Sequence, residues 1–174
     1  MSSTRLGLVG LIAAATLTLA GCTNDPVDES PAPPKLSAEE QDQADIEETL
    51  TLYIRALDDA FNGDASVEAI YLFSRDAARE KWATQVMASE AQGATSTGLT
   101  ELEMVEVSVD GDTAEATACA DVSDVEVMNE DGDSIVADSR LDRTLMDFAL
   151  ERDDAAQVGW YVVNDRNRSQ PCDG

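Results

Sequence analysis

Apolar residues along this chain fall into two periods, one near 3.6 before Gly98 and one of two after it. Ile46, Leu50, Tyr53, Ile54, Leu57 and Phe61 recur at three- and four-residue steps, which gathers them into one stripe on a helix. Ser37-Ala38-Glu39-Glu40 ahead of the stripe reads as a capping box, in which serine and glutamate side chains satisfy free amide donors at a helix start. Asn62-Gly63 ends that helix. A short helical turn is expected over Val67 to Phe73. Ser74 is then placed to cap a further helix with Trp82, Val86 and Met87 on one side, closed by the loop Gln92 to Gly98.

After Gly98 the residues alternate. Leu99 to Val109 reads as a strand whose phase slips near Glu103, the mark of a bulge. Asp110-Gly111 is a hairpin signal. Thr113 to Val127 follows as one long strand with Ala114, Ala116, Ala118 and Ala120 on one face. A polar turn at Asn129 to Asp133 leads to a short strand around Ile135. Thr144, Met146, Phe148 and Leu150 alternate along the next strand, Asp153-Asp154 turns the chain, and Val158, Trp160 and Val162 face one way along the last. Helices first and an antiparallel meander after them predict an α+β fold, with N-terminal helices packed on one face of a curved antiparallel sheet of four to five strands.

Upstream of the domain the pattern changes character. MSSTR carries one positive charge at Arg5, and the apolar run Leu6 to Ala20 is shorter than the ~20 residues a membrane span needs. It ends in Leu19-Ala20-Gly21-Cys22. This resembles the bacterial lipobox. The resemblance implies a signal peptide over residues 1–21, cleavage before Cys22, a diacylglycerol on its thiol and acylation of the new amino terminus. Two or three chains anchor stably where one binds only marginally, which would hold the protein at the extracytoplasmic face of the cell membrane. An ordinary secretory signal with an incidental Cys22 is the alternative. Residues 22–36 contain four of the five prolines and no apolar periodicity. Such a run cannot bury enough surface to fold, and its prolines make it a semi-extended tether. At full extension Thr23 to Leu36 reaches about 45–50 Å. A single domain then occupies residues 37–174.

Charge narrows the partners. Without residues 1–21 the chain keeps 36 acidic and 10 basic side chains, a formal charge of −26. Nucleic acid and anionic headgroups repel such a surface, so neither is expected as a partner. Histidine is absent, which removes the commonest general base near neutral pH and the commonest transition-metal ligand. No cofactor or metal is expected. The acidic turn Asn129-Glu130-Asp131-Gly132-Asp133 departs from the calcium-loop spacing and has the residues a hairpin turn prefers. Once Cys22 is lipidated, Cys119 and Cys172 are the thiols left over in an oxidising compartment, where such a pair normally forms a disulfide.

The helix-then-sheet layout is similar to the nuclear transport factor 2-like, cystatin-like cone superfamily. So are the strand cysteine in Ala118-Cys119-Ala120-Asp121-Val122, the ending Gly159-Trp160-Tyr161-Val162-Val163 and the last cysteine, Cys172. A generic α+β meander is the alternative architecture. The resemblance implies a pocket between helix and sheet, for which Tyr53, Trp82, Phe148, Trp160 and Tyr161 are the candidate lining residues. It also implies a possible isomerase- or dehydratase-like chemistry through a carboxylate and a tyrosine, the available pair being Tyr53 and Asp147. Asp147 alternates with Phe148 and is expected on the wetter face. The reading favoured by the residues is a non-enzymatic, membrane-tethered domain binding a small apolar ligand or an envelope protein. A spacer with a filled core is the third possibility.

Overall fold

The computed structural model describes residues 35–172; Cys22 and most of the proline-rich run lie outside the described residues. Helix α1, Ala38–Phe61, opens on the expected capping box. Ser37 Oγ accepts from Glu40 N at 3.3 Å, and Glu40 Oε2 accepts from Ser37 N at 2.8 Å. Its apolar stripe is buried from Ile46 to Leu57, with Ile46, Leu50 and Tyr53 wholly out of solvent, and Phe61 is partly buried against the core. A 3₁₀ turn follows at Val67–Leu72.

Ser74 does not cap the next helix. It is buried, donates to the Ile70 carbonyl at 2.8 Å and bridges Val162 in parallel. The backbone completes that bridge, with Val162 N donating to Phe73 O and Arg75 N to Val162 O. Helix α2, Asp76–Ala91, therefore starts after a stitch to the sheet, without a side-chain cap. Val86 is buried but Met87 is 54% exposed, because consecutive residues stand about 100° apart around a helix.

The loop expected over 92–98 contains strand β1, Thr95–Thr97, paired with β4, Glu126–Met128. The single strand expected over Thr113 to Val127 is thus two, β3 at Thr113–Asp121 and then β4, separated by a turn closed from Val125 N to Val122 O. Gly98 permits this: its φ is +88°, and a Cβ there would sit 2.0 Å from the Asp124 carbonyl oxygen. Ile135 joins no strand and is 54% exposed; the only ladder contact in that stretch is a bridge from Met128 to Ser134.

The main sheet has the order β2-β3-β5-β6, antiparallel throughout, with β2 at Glu101–Asp110, β5 at Arg143–Arg152 and β6 at Trp160–Pro171. The β2–β3 loop is Gly111-Asp112, one residue later than the sequence signal, with positive φ only at Gly111. The inner face carries Ala114, Ala116, Ala118 and Ala120 from β3 and Thr144, Met146, Phe148 and Leu150 from β5, all buried. Three register shifts interrupt the ladders. One sits at Val105, which leaves the ladder and is 60% exposed; a second at Val163 puts both Val162 and Asp165 on the inner face; a third falls between Met146 and Thr144, where β6 runs from Asn167 to Pro171. Cys119 and Cys172 are joined, with Cα atoms 5.6 Å apart, so the end of β6 is fastened to β3. The protein is an α+β cone, its helices lying on the concave face of a curved sheet. No helix among the described residues is long and apolar enough to cross a membrane.

Candidate functional site

The helices do not cover the concave face evenly. Where the alanine row of β3 ends at Ala120, the space above it is unfilled. A cavity of about 790 Å³ opens there between α1, α2 and the sheet, within the size range of small-molecule sites. Ile54, Leu57 and Phe61 enter its wall from successive turns of α1, which is where helical spacing sends residues i, i+3 and i+7. Trp82 comes from α2, Met146 from β5, Val122, Val125 and Val127 from the chain around β4, and Leu141 from the run into β5. The Phe61 and Trp82 rings meet edge to face, 5.9 Å between centroids. Arg140 donates to the carbonyls of Val125 at 2.8 Å and Val122 at 3.1 Å, so it pins the segment before β5 across the turn that follows β3.

Eleven of the 21 lining residues are polar or charged, Asp58, Lys81, Gln85, Thr144, Asn167 and Ser169 among them. Burial pushes the Asp58 carboxyl above its ordinary range, opposed by the backbone N–H and hydroxyl of Thr100. Lys81 reaches Asp165, whose side chain has no solvent exposure. Asp165 Oδ2 accepts from Trp82 Nε1 at 2.6 Å and from the Tyr53 hydroxyl at 3.0 Å, while its Oδ1 takes the Lys81 ammonium. Donors from both helices thus converge on one carboxylate of the sheet, the arrangement a buried charge requires. Burial also pushes the Tyr53 phenol well above its ordinary value, which keeps it protonated and donating.

The five aromatic candidates separate. Trp82 lines the cavity. Tyr53, Phe148 and Trp160 are at most 2% exposed and belong to the packed core, so they support the wall rather than form it. Tyr161 is outside the cavity; its ring lies under the Arg75 guanidinium at 5.5 Å and its hydroxyl donates to Ala155 O. The Tyr53–Asp147 pair does not form, because Asp147 is on the convex face as its alternation with Phe148 requires. The tyrosine's acid is Asp165. In the 129–133 turn, Asn129 Oδ1 accepts from the Asp131 and Asp133 amides, the local bonding by which an asparagine closes a hairpin turn.

Asp147 accepts from Arg166 at 2.7 Å and Thr117 at 3.2 Å and pairs with Arg168. The Arg168 and Arg166 hydrogen bonds hold its carboxyl well below the usual aspartate range. A carboxyl depressed by folding contributes its full stability above the unfolded-state value near ~4 and loses it as pH falls through the lower folded-state value. Asp147→Asn is therefore expected to lower stability at neutral pH and to flatten the acid limb of a stability–pH curve, the difference between the two chains narrowing steadily as pH falls below ~4. An unchanged acid limb would contradict this.

No protein-family model and no curated protein sequence matches the chain. Solved structures do resemble it. The intermembrane space region of the chloroplast protein ARC6 superposes with a TM-score of 0.55 at 14% identity, covering 77% of this chain and 98% of that one. A nuclear transport factor 2-like superfamily protein from Salmonella enterica superposes with a TM-score of 0.50 at 12% identity, covering 79% and 96%. A nuclear transport factor 2-like protein with a cystatin-like fold from Novosphingobium aromaticivorans is 20% identical over 73% of this chain and 80% of that one, with a TM-score of 0.44. At such identities the likeness concerns fold alone, and the α+β fold is one shared with the nuclear transport factor 2-like protein from Salmonella enterica.

Proposed function

We propose that this chain is a membrane-anchored, extracytoplasmic lipoprotein whose folded domain binds a small apolar molecule without transforming it. The observation that carries the binding reading is the cavity of about 790 Å³ walled by Ile54, Leu57, Phe61, Trp82, Val125, Val127 and Met146. Burial of apolar surface there supplies affinity, and polar groups among the lining residues orient the guest. The lipobox-like Leu19-Ala20-Gly21-Cys22 carries the anchoring reading.

A second reading, an isomerase- or dehydratase-like enzyme, draws on the buried Asp165 beside Tyr53. Its weakness is that the Asp165 oxygens already hold Lys81, Trp82 and Tyr53, so a substrate would compete with three donors for that carboxylate. An envelope protein is the alternative partner for the concave face.

Two experiments test the proposal. Metabolic labelling with palmitate should mark the wild-type chain and be lost in Cys22→Ser; unchanged labelling would sink the anchor. Binding of the neutral fluorophore N-phenyl-1-naphthylamine should fall about ten-fold or more in Ala120→Leu, since three extra carbons would project from a buried wall position into the cavity. Equal binding by both chains would place the fluorophore elsewhere.

A further inference from the structure

We infer that the occupant of the cavity is an amphipathic acid, an apolar body ending in a carboxylate that is received at the β6 edge by Lys81, Asn167 and Ser169. This rests on the cavity being a binding site, as proposed above, and adds the chemistry of its guest.

The acid–base balance of the cavity lining differs from that of the whole chain. The sequence has 36 acids to 11 bases, yet the ionisable residues lining the cavity are one acid, Asp58, and two cations, Lys81 and Arg140. Both Asp58 oxygens are already engaged by Thr100, through its backbone N at 2.7 Å and its hydroxyl at 2.9 Å. Thr100 leads into β2, whereas Asn167 and Ser169 are on β6, and these strands are the two opposite edges of the sheet. The acid and the Lys81 end of the cavity are therefore apart.

Two hydrogen-bonding side chains of β6, Asn167 and Ser169, stand on the Lys81 side of the cavity lining. Asn167 Oδ1 accepts from Ser169 N at 2.7 Å and from the Thr144 hydroxyl at 2.9 Å. A backbone N–H can only donate, so this contact identifies the amide oxygen and turns Nδ2, with two N–H donors, the other way. Both residues are exposed at the rim of the cavity, and no described residue accepts from that nitrogen or pairs with the Ser169 hydroxyl. The Lys81 ammonium directs two bonds to the Asp165 carboxylate and carbonyl and lies over the Trp82 ring, 4.4 Å from its centroid; its third N–H meets no oxygen acceptor among the described residues. Ser169 is held at φ +54°, a left-handed value uncommon for a residue with a side chain. Its own bond to Asn167, the Thr144 bond to the Gln170 carbonyl and the Cys172 crosslink surround it. A cation and two neutral donors beside an apolar wall suit a head group that only accepts, and a carboxylate does.

Equilibrium dialysis of the purified full chain against dodecanoate, dodecanol and dodecylamine tests this with one tail and three heads. Dodecanoate should bind about ten-fold tighter than dodecanol, with dodecylamine weakest. Lys81→Gln, which keeps a donor for Asp165 but removes the charge, should reduce dodecanoate to the level of dodecanol. Ser169→Gly, which the backbone angle accommodates, should weaken dodecanoate about three-fold and leave dodecanol unchanged; if Lys81→Gln does not fold, this variant decides. Equal binding of acid and alcohol, or tightest binding of the amine, would overturn the inference and leave the apolar cavity standing. Binding of none of the three would overturn both.

Discussion

Asp165→Ala is expected to destabilise the domain by about 3–5 kcal/mol, the usual consequence of removing one partner from a buried, paired charge. The Lys81 ammonium would lose its carboxylate, and Trp82 Nε1 and the buried Tyr53 hydroxyl would lose their acceptor in one step. For a domain of this size that corresponds to a fall in Tm of roughly 10 °C or more. Asp165→Asn should cost less, because the amide oxygen can still accept from one of the donors. Thermal unfolding by circular dichroism measures both. A shift below about 2 °C in Asp165→Ala would show that the three donors find other partners or water, and that the carboxylate does not organise this side of the core.

Loss of the Cys119–Cys172 link should have an effect of similar size by another route. The two residues are 53 apart in sequence, and closing a loop of that length restricts the unfolded chain by roughly 4 kcal/mol. Reduction with dithiothreitol, or Cys172→Ser, should lower the urea midpoint accordingly. Cys172→Ser is the cleaner variant, since Cys119 is 2% exposed and a serine there would add the cost of a buried hydroxyl. Identical midpoints for oxidised and reduced protein would mean that the bond constrains nothing the fold has not already fixed.

The periodicities foretold the frame well. The α1 stripe, the alanine row and the Thr144-Met146-Phe148-Leu150 alternation are local patterns whose outcome depends only on which face meets the core. The errors arise where a longer-range contact changes the local rule. Ser74 has the chemistry of a cap, but its backbone is claimed by Val162 on a strand nearly ninety residues later. The run through Val127 reads as one strand because nothing local reveals that Gly98 lets another segment come close to Asp124. The site was less legible. Asp165 sits in the polar run Asn164-Asp165-Arg166-Asn167-Arg168, which reads as solvated, and strict alternation from Val162 would send it outward. The extra residue at Val163 reverses that phase, so one bulge conceals the buried acid from any reading of period two. Lys81, as one of only two lysines in the chain, was the available signal.

The alanine row of β3 has an implication for how such a domain could change its guest. Four methyl groups in line mean that the concave face takes its contour from the neighbouring elements, with the middle strand left nearly blank. The row runs antiparallel between β2 and β5, so its register is set by backbone bonding and by strands other than itself. Enlarging Ala120 would alter the interior shape while leaving the ladder, the disulfide and the Asp165 cluster in place. A lineage of such domains could therefore diverge in what it accommodates through single substitutions at the cavity end of one strand, while the scaffold drifts independently.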